Sequence, residues 1–187
     1  DPSPTNIIDQ YIITKGYYTA VKNWVNNNEP KPQAPTPLQL RLAYGLLTNK
    51  KMFSDSVILH PGKIKLLFGD KSAQPLQGKF KVIKSADRKL TDSQIKNIIT
   101  ATVRNFFDIQ LWNFGETFYF TELAAAIHNA LPSEINSVVL VPIMSQNHFG
   151  NMFQVTCQPD EIFYCDITPD DIEIVQSYTQ TNINIGT

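Results

Sequence analysis

The residues that could support metal binding or nucleophilic catalysis are few and widely spaced. His60, His128 and His148 fall in a predicted turn, helix and loop, and none is four residues from another. Cys157 and Cys165 lack the Cys-x-x-Cys spacing of zinc sites. We therefore expect reduced, unpaired cysteines, and we expect no metal site, no Cys-His pair and no cofactor.

Two acidic pairs could supply a general acid and a general base, but both follow a proline. Asp160-Glu161 comes after Pro159, and Asp170-Asp171 comes after Pro169. Turn formation already explains such sequences. A Gly-Lys-Ser/Thr phosphate-binding loop is also missing from the sequence. We assign no catalytic residue and expect neither an enzyme nor a small-molecule substrate.

The charge of the chain is unevenly distributed along its 187 residues, although the net charge is only −1. Residues 1–90 contain 14 Lys+Arg and 6 Asp+Glu, a balance of +8, whereas residues 91–187 contain 2 and 11, a balance of −9. Such a chain could join the basic end of one copy to the acidic end of another. Folding could equally bring the two halves together and cancel their fields, and both interpretations remain open.

Two predicted strands, residues 63–68 and 79–84, alternate lysines with apolar residues. A period of two places one set of side chains on the water face and the other on the core face. The lysines on the predicted water face are Lys63, Lys65, Lys79 and Lys81. They would either keep a sheet soluble or bind an anion such as nucleic acid, although aromatic platforms are not interleaved with them.

The helices of the first half are predicted from spacing and capping residues. Residues 17–25 have helical apolar spacing, and residues 7–13 favour a strand. Thr36 and Gln39 form a predicted capping box at the start of a helix that follows the proline-rich linker 26–35. On this helix, the spacing of four predicts a buried face, formed by Leu38, Leu42 and Leu46.

The second half reads as two helices followed by strands. Thr91 and Gln94 form another predicted capping box, which starts a long amphipathic helix. An extended segment at 116–120 leads to a helix capped by Thr121 and ended by Pro132, and residues 137–141 form an apolar strand. Segments 152–157 and 162–167 predict a hairpin that pairs residue 157 with 162, and residues 172–176 predict a last strand.

These elements predict an α+β fold with mixed or antiparallel sheets covered by helices in two layers. Residues 1–90 form a basic helical and β region continuous with the rest, 91–176 form a helix-helix-strand-hairpin region, and 177–187 form a polar tail. No apolar run is long enough to span a bilayer, so we expect no membrane contact. The chain begins Asp-Pro-Ser-Pro without Met or a leader, which suggests a piece of a longer polypeptide.

Several long segments resemble proteins of the baseplate J-like family, namely the C-terminal region of the baseplate wedge protein of T-even-like tailed bacteriophages. In the second half these are residues 112–123 (WNFGETFYFTEL), 135–142 (INSVVLVP) and 149–153 (FGNMF). Upstream, residues 6–9, 17–18 and 60–69 (HPGKIKLLFG) look similar as well. The resemblance spans most of the chain and preserves the order of its segments.

The resemblance implies a structural role in the virion. The protein would join neighbouring wedges into the ring around the tail hub, and it would relay rearrangement when the sheath contracts. Its partners would be further copies of itself, in dimer or ring contacts, and other baseplate wedge proteins. It would be located in the tail baseplate after assembly in the host cytoplasm. The alternative function is a nucleic-acid-binding module that uses the lysine-faced strands, although we do not expect nucleic-acid binding.

Three aromatic residues are candidates for a protein contact. Trp112 and Phe114 stand in a predicted loop, and Phe163 lies on the face of the predicted hairpin opposite the core face. The alternative is that all three fill the core, or that another segment of the same chain covers Phe163.

Overall fold

The structure, a computed structural model, describes residues 7–45, 56–143, 150–179 and 183. The α-helices are α1 (Lys15–Asn27), α2 (Pro37–Tyr44), α3 (Asp92–Phe106), α4 (Phe120–Ala130) and α5 (Gly150–Phe153). The strands are β1 (Ile7–Ile12), β2 (Ser56–Pro61), β3 (Lys63–Leu66), β4 (Gly78–Lys84), β5 (Thr117–Tyr119), β6 (Ile135–Pro142), β7 (Gln154–Thr156), β8 (Glu161–Tyr164) and β9 (Ile172–Val175). None of the helices in these ranges is long and apolar enough to cross a membrane.

The helix starts follow the predicted capping residues in α2 and α3. Thr36 and Gln39 form a complete capping box at α2, and Thr91 and Gln94 form one at α3. The predicted cap of α4 is wrong by two residues, since that helix begins at Phe120 after Tyr119. Phe120 is buried, so core packing extends the helix back past the threonine.

The predicted buried face of α2 is wrong. Leu40 is buried, whereas Leu38 is 65% exposed and Leu42 is 79% exposed. Leu46 lies outside the described residues. The helix carries leucines at alternate positions and therefore has apolar side chains on two faces, and of the leucines that the structure describes on this helix, only Leu40 is buried.

The described strands form four small sheets of mixed pairing. Strand β4 lies between β6, to which it is antiparallel, and β9, to which it is parallel. The other pairs are β1 with β2 and β3 with β8, both parallel, and β5 with β7, which is antiparallel. Sheets that combine strands from before and after residue 90 join both halves of the chain. The helices and the small mixed sheets confirm the predicted α+β class.

The predicted hairpin between residues 152–157 and 162–167 does not form. Strand β7 pairs with β5, and β8 pairs with β3 in the register Ile64 to Ile162. Side chains on both faces of β8 are buried, including Ile162, Phe163 and Tyr164. A strand that is apolar on both faces suits a parallel pair with cover on both sides better than a hairpin with one solvated face.

The core lies where α3 and α4 pack against each other and against the sheet of β4. Ile99 of α3, Ile127 of α4 and Val82 of β4 are all fully buried within one apolar cluster. Aromatic rings fill the centre of this cluster in edge-on contacts: Phe68, Phe80, Phe107, Phe118 and Phe163. Such ring contacts add to the stabilisation from apolar burial.

Candidate protein-interaction site

The loop between α3 and β5 positions two of the three predicted contact residues. The Glu116 carboxylate accepts hydrogen bonds from the backbone N–H and the side-chain amide of Asn113, at 2.9 and 2.7 Å. Gly115 has φ +75°, where a side chain would be strained, and its N–H donates to the carbonyl of Glu161 at 3.1 Å. The loop therefore has a defined shape between Trp112 and β5.

Trp112 is half-buried and belongs largely to the core. Its indole stacks on Phe107 with 5.7 Å between ring centroids, and it meets Phe163 edge-on at 4.9 Å. Its Nε1–H donates to the carbonyl of Phe106 at 2.7 Å. The indole packs at the C-terminal end of α3, so only part of its surface is accessible to a partner.

Phe163 is fully buried, so its prediction as a contact residue is wrong. The segment that covers it comes from the same chain: Phe107, Phe118 and Trp112 all contact its ring. The prediction failed because it assumed a hairpin with one open face. Pairing of β8 with β3 places α3 and β5 over that face instead.

Phe114 is half-buried and points toward the N-terminal strands. Its ring lies 5.6 Å from the ring of Tyr11, between centroids. A Cβ placed on Gly62 would come within 2.7 Å of the Phe114 ring, so the absence of a side chain at position 62 allows this close packing. Trp112 and Phe114 flank an open cleft of about 590 Å³, which α1 borders at Lys15 and Tyr18.

A more exposed apolar surface lies on the unit formed by β1, β2 and α2. We call Leu38 and Leu42 the α2 face; they are exposed although α2 packs against β2. Ile7 and Ile8 on β1 are exposed as well. The spacing of four residues does not predict this surface, because it places Leu38 and Leu42 in the core. The signal was available in the alternate leucines at positions 38, 40 and 42, which a single buried stripe cannot contain.

The uneven charge along the sequence is partly compensated by four ion pairs within the chain. Each of these pairs joins a lysine of residues 1–90 to a carboxylate of residues 91–187. They are Lys63–Asp160 at 2.7 Å, Lys65–Glu161 at 2.9 Å, Lys81–Glu173 at 2.9 Å and Lys84–Asp92 at 2.7 Å. These contacts favour the interpretation that folding brings the two halves together and cancels their electric fields. They do not favour the interpretation that the basic end of one copy joins the acidic end of another. They also account for three of the four strand lysines considered for nucleic-acid binding.

Two of these ion pairs predict an acid-dependent loss of stability. The hydrogen bonds from Lys84 and Lys63 hold the pKa of Asp92 and of Asp160 below the ordinary value of 3.8. A lowered pKa stabilises the folded state above the unfolded-state pKa, and this contribution disappears as the pH falls below about 4. We expect a double variant, Asp92→Asn with Asp160→Asn, to lose less stability than the wild type between about pH 5 and pH 2.

Urea unfolding at each pH would measure this difference. Asp87→Asn is the matched control, because that aspartate is in no salt bridge among the residues described. If the double variant and the wild type had parallel stability profiles, the proposed role of the two carboxylates would be wrong.

The cysteines are buried and free, as predicted. Burial raises the pKa of Cys157 to about 12 and also raises that of Cys165, which disfavours the thiolate at neutral pH. His60 lies with its Nε2 2.7 Å from Oδ1 of Asp9, a pairing that the parallel β1–β2 register creates. His148 lies outside the described residues. In the described part of the chain, no group of three or more His, Cys, Asp or Glu could hold a metal ion.

The two acidic pairs have structural contacts. Asp160 and Glu161 both bind lysines of β3, and Asp171 accepts hydrogen bonds from the N–H and hydroxyl of Thr168 at 2.8 and 3.0 Å. These contacts agree with the turn interpretation of both pairs.

The candidate site consists of apolar and aromatic surface, at the cleft between Trp112 and Phe114 and at the α2 face. Comparison with known proteins found no family model that matches the chain and no curated protein that matches it.

Proposed function

We propose that this protein is a structural component of a phage tail baseplate, a wedge protein that joins neighbouring wedges into the ring around the hub. The observation that carries the proposal is the exposed α2 face. Leu38 and Leu42, one turn apart on α2, are 65% and 79% exposed. Such a surface is typical of a contact between proteins in a permanent assembly.

The resembling segments support the baseplate context because they contribute residues to the core of this fold. Phe68 of segment 60–69, Phe118 of segment 112–123 and Met152 of segment 149–153 are fully buried. Buried residues are needed for the fold, whereas a surface motif can occur on unrelated folds. A resemblance that includes buried residues is therefore a resemblance in fold. It therefore supports a shared architecture over most of the chain.

The geometry of the N-terminal unit also favours a partner. Strands β1 and β2 pair only with each other among the described residues, and a two-stranded ribbon is marginally stable alone. Helix α2 packs against β2, and its Leu40 is buried. A partner on the α2 face would stabilise the unit, and it would connect any movement of the partner to the ribbon during sheath contraction.

Disrupting the α2 face is expected to weaken self-association without unfolding the chain. In the variant Leu38→Asp with Leu42→Asp, each copy would place carboxylates in the contact, so we expect association to weaken at least about tenfold. The free energy of unfolding should change by less than about 0.5 kcal/mol, since both side chains are exposed. Light scattering over a concentration series, with electron microscopy for rings, would measure the association.

Leu111→Asp provides the matched control, because Leu111 is equally exposed but lies in the loop after α3. The control should associate as the wild type does. Antibodies against the chain should label the baseplate end of the tail in purified virions. A wild-type chain that stays monomeric and labels no tail structure would contradict the proposal.

A further inference from the structure

A second cleft, of about 530 Å³, lies between α1 and the strands β3 and β7. It is separate from the α2 face and from the cleft between Trp112 and Phe114. Its volume is within the range of sites that bind ligands or peptide side chains. The side chains that give it its chemistry are Tyr17, Trp24, Lys31, Lys65, Lys71 and Pro75.

The apolar face of α1 is only partly covered by the rest of the chain. Val21 is the one buried residue of this helix, while Tyr17 and Trp24, one turn to either side, are half-buried and line the cleft. Pro75 and Val155 also line the cleft. The helix therefore presents an aromatic wall to an open space that an apolar side chain could fill.

Two of the three lysines that line this cleft make no salt bridge with the described residues. Lys65 forms a salt bridge with Glu161, and its ammonium group also donates a hydrogen bond to the carbonyl of Thr156 at 3.1 Å. Lys31 lies over the Trp24 ring, 5.4 Å from its centroid, and within the described ranges neither Lys31 nor Lys71 makes a salt bridge. Among the residues that the structure describes, the lining of the cleft thus includes two positive charges that are in no salt bridge.

We propose that this cleft binds an extended acidic peptide segment of a partner protein. An apolar side chain of the peptide would rest against Trp24 and Tyr17, and carboxylates beside it would pair with Lys31 and Lys71. Opposite charges around an apolar anchor would select the peptide and fix its register. The inference is independent of the baseplate proposal, because it rests on this cleft alone.

A peptide fits the cleft better than a nucleic acid does. Binding of a single strand needs a row of cations along the backbone and open aromatic faces on which bases stack. Here Lys31 already covers the Trp24 ring, and Glu161 neutralises Lys65 inside the cleft. Two remaining positive charges suit a few carboxylates, not a phosphate backbone.

Selection from a displayed library of random peptides about twelve residues long, against the full chain, would test the proposal. We expect enrichment of peptides in which Asp or Glu flanks an aromatic residue or leucine. A labelled synthetic peptide of the enriched sequence would then be titrated by fluorescence anisotropy. In the variant Lys31→Glu with Lys71→Glu, its affinity should fall at least about tenfold at moderate salt.

The control variant Lys15→Glu with Lys89→Glu changes the net charge equally but replaces lysines that do not line this cleft. It should bind the peptide within about twofold of the wild type. The proposal is overturned if no acidic peptide is enriched, or if the two variants bind equally well. Binding of a labelled oligothymidine that only the Lys31/Lys71 variant abolishes would assign the cleft to nucleic acid instead.

Discussion

Replacing Phe68 by alanine is expected to lower the free energy of unfolding by about 3–5 kcal/mol. The side chain is fully buried, and its ring contacts Phe80, Phe107 and Phe118. Removing it would leave a cavity at the junction of α3, β4 and β5, because the surrounding rings cannot all move inward. Chemical denaturation monitored by circular dichroism would measure the loss.

The backbone at Phe68 makes this expectation more specific. Phe68 has φ +71°, a left-handed conformation that side chains rarely adopt. Its N–H donates to the carbonyl of Leu76 and its carbonyl accepts from Gly78, both at 3.0 Å. In Phe68→Ala, the strained backbone would persist without the buried ring that offsets its cost.

Phe153→Ala is the matched control, since it also removes a phenyl ring, but from a position where the side chain is 41% exposed. We expect a loss of less than about 1.5 kcal/mol for this variant. Equal losses at the two positions would show that Phe68 does not occupy the centre of the core.

Replacing Asp166 by alanine is expected to cost about 1–3 kcal/mol of stability. The Asp166 side chain is only 8% exposed and accepts from three groups. These are Arg104 Nε at 2.6 Å, Asn26 Nδ2 at 2.8 Å and the Tyr164 hydroxyl at 2.9 Å. The carboxylate thereby connects α1, α3 and the end of β8, and its removal leaves the hydroxyl of the buried Tyr164 without this acceptor, whereas Asn26 is exposed. Arg104 is partly exposed, so water would offset some of the loss.

Two further variants separate burial from ion pairing. Glu173→Ala removes a carboxylate that is 51% exposed in its pair with Lys81, and it should cost less than about 1 kcal/mol. Asp166→Asn retains an acceptor oxygen and should fall between Asp166→Ala and the wild type. If Asp166→Ala were as mild as Glu173→Ala, the three hydrogen bonds would not connect these elements.

The two proposed contact surfaces have different chemistry and can be tested separately. The α2 face is apolar and is proposed for association within the baseplate ring. The cleft beside α1 is aromatic and basic and is proposed for an acidic peptide. Because substitutions in one leave the other intact, loss of ring formation and loss of peptide binding should occur in different variants.

Local sequence determined the elements and several of their ends. Thr36 with Gln39 and Thr91 with Gln94 predicted the starts of α2 and α3, because capping hydrogen bonds involve residues only three apart. Alternation of lysines with apolar residues likewise located β3 and β4. The α+β class followed from the order of these elements.

Strand partners were decided only by the tertiary structure. A period of two identifies a strand but does not say which strand pairs with it, and the hairpin prediction failed for that reason. Pairing of β8 with β3 buried Phe163, and pairing of β1 with β2 brought His60 to Asp9. The choice of buried face on α2 also depended on which neighbour it packed against.

The sequence by itself determined the unequal distribution of charge, and the tertiary structure decided its effect. Lys63 meets Asp160, and Lys84 meets Asp92, only because the chain brings β3 to the turn before β8 and β4 to the start of α3. Electrostatic energy depends on the distance between charges in space, which sequence spacing does not specify. The same is true of the cleft beside α1, where Trp24 and Lys71 become neighbours only after folding.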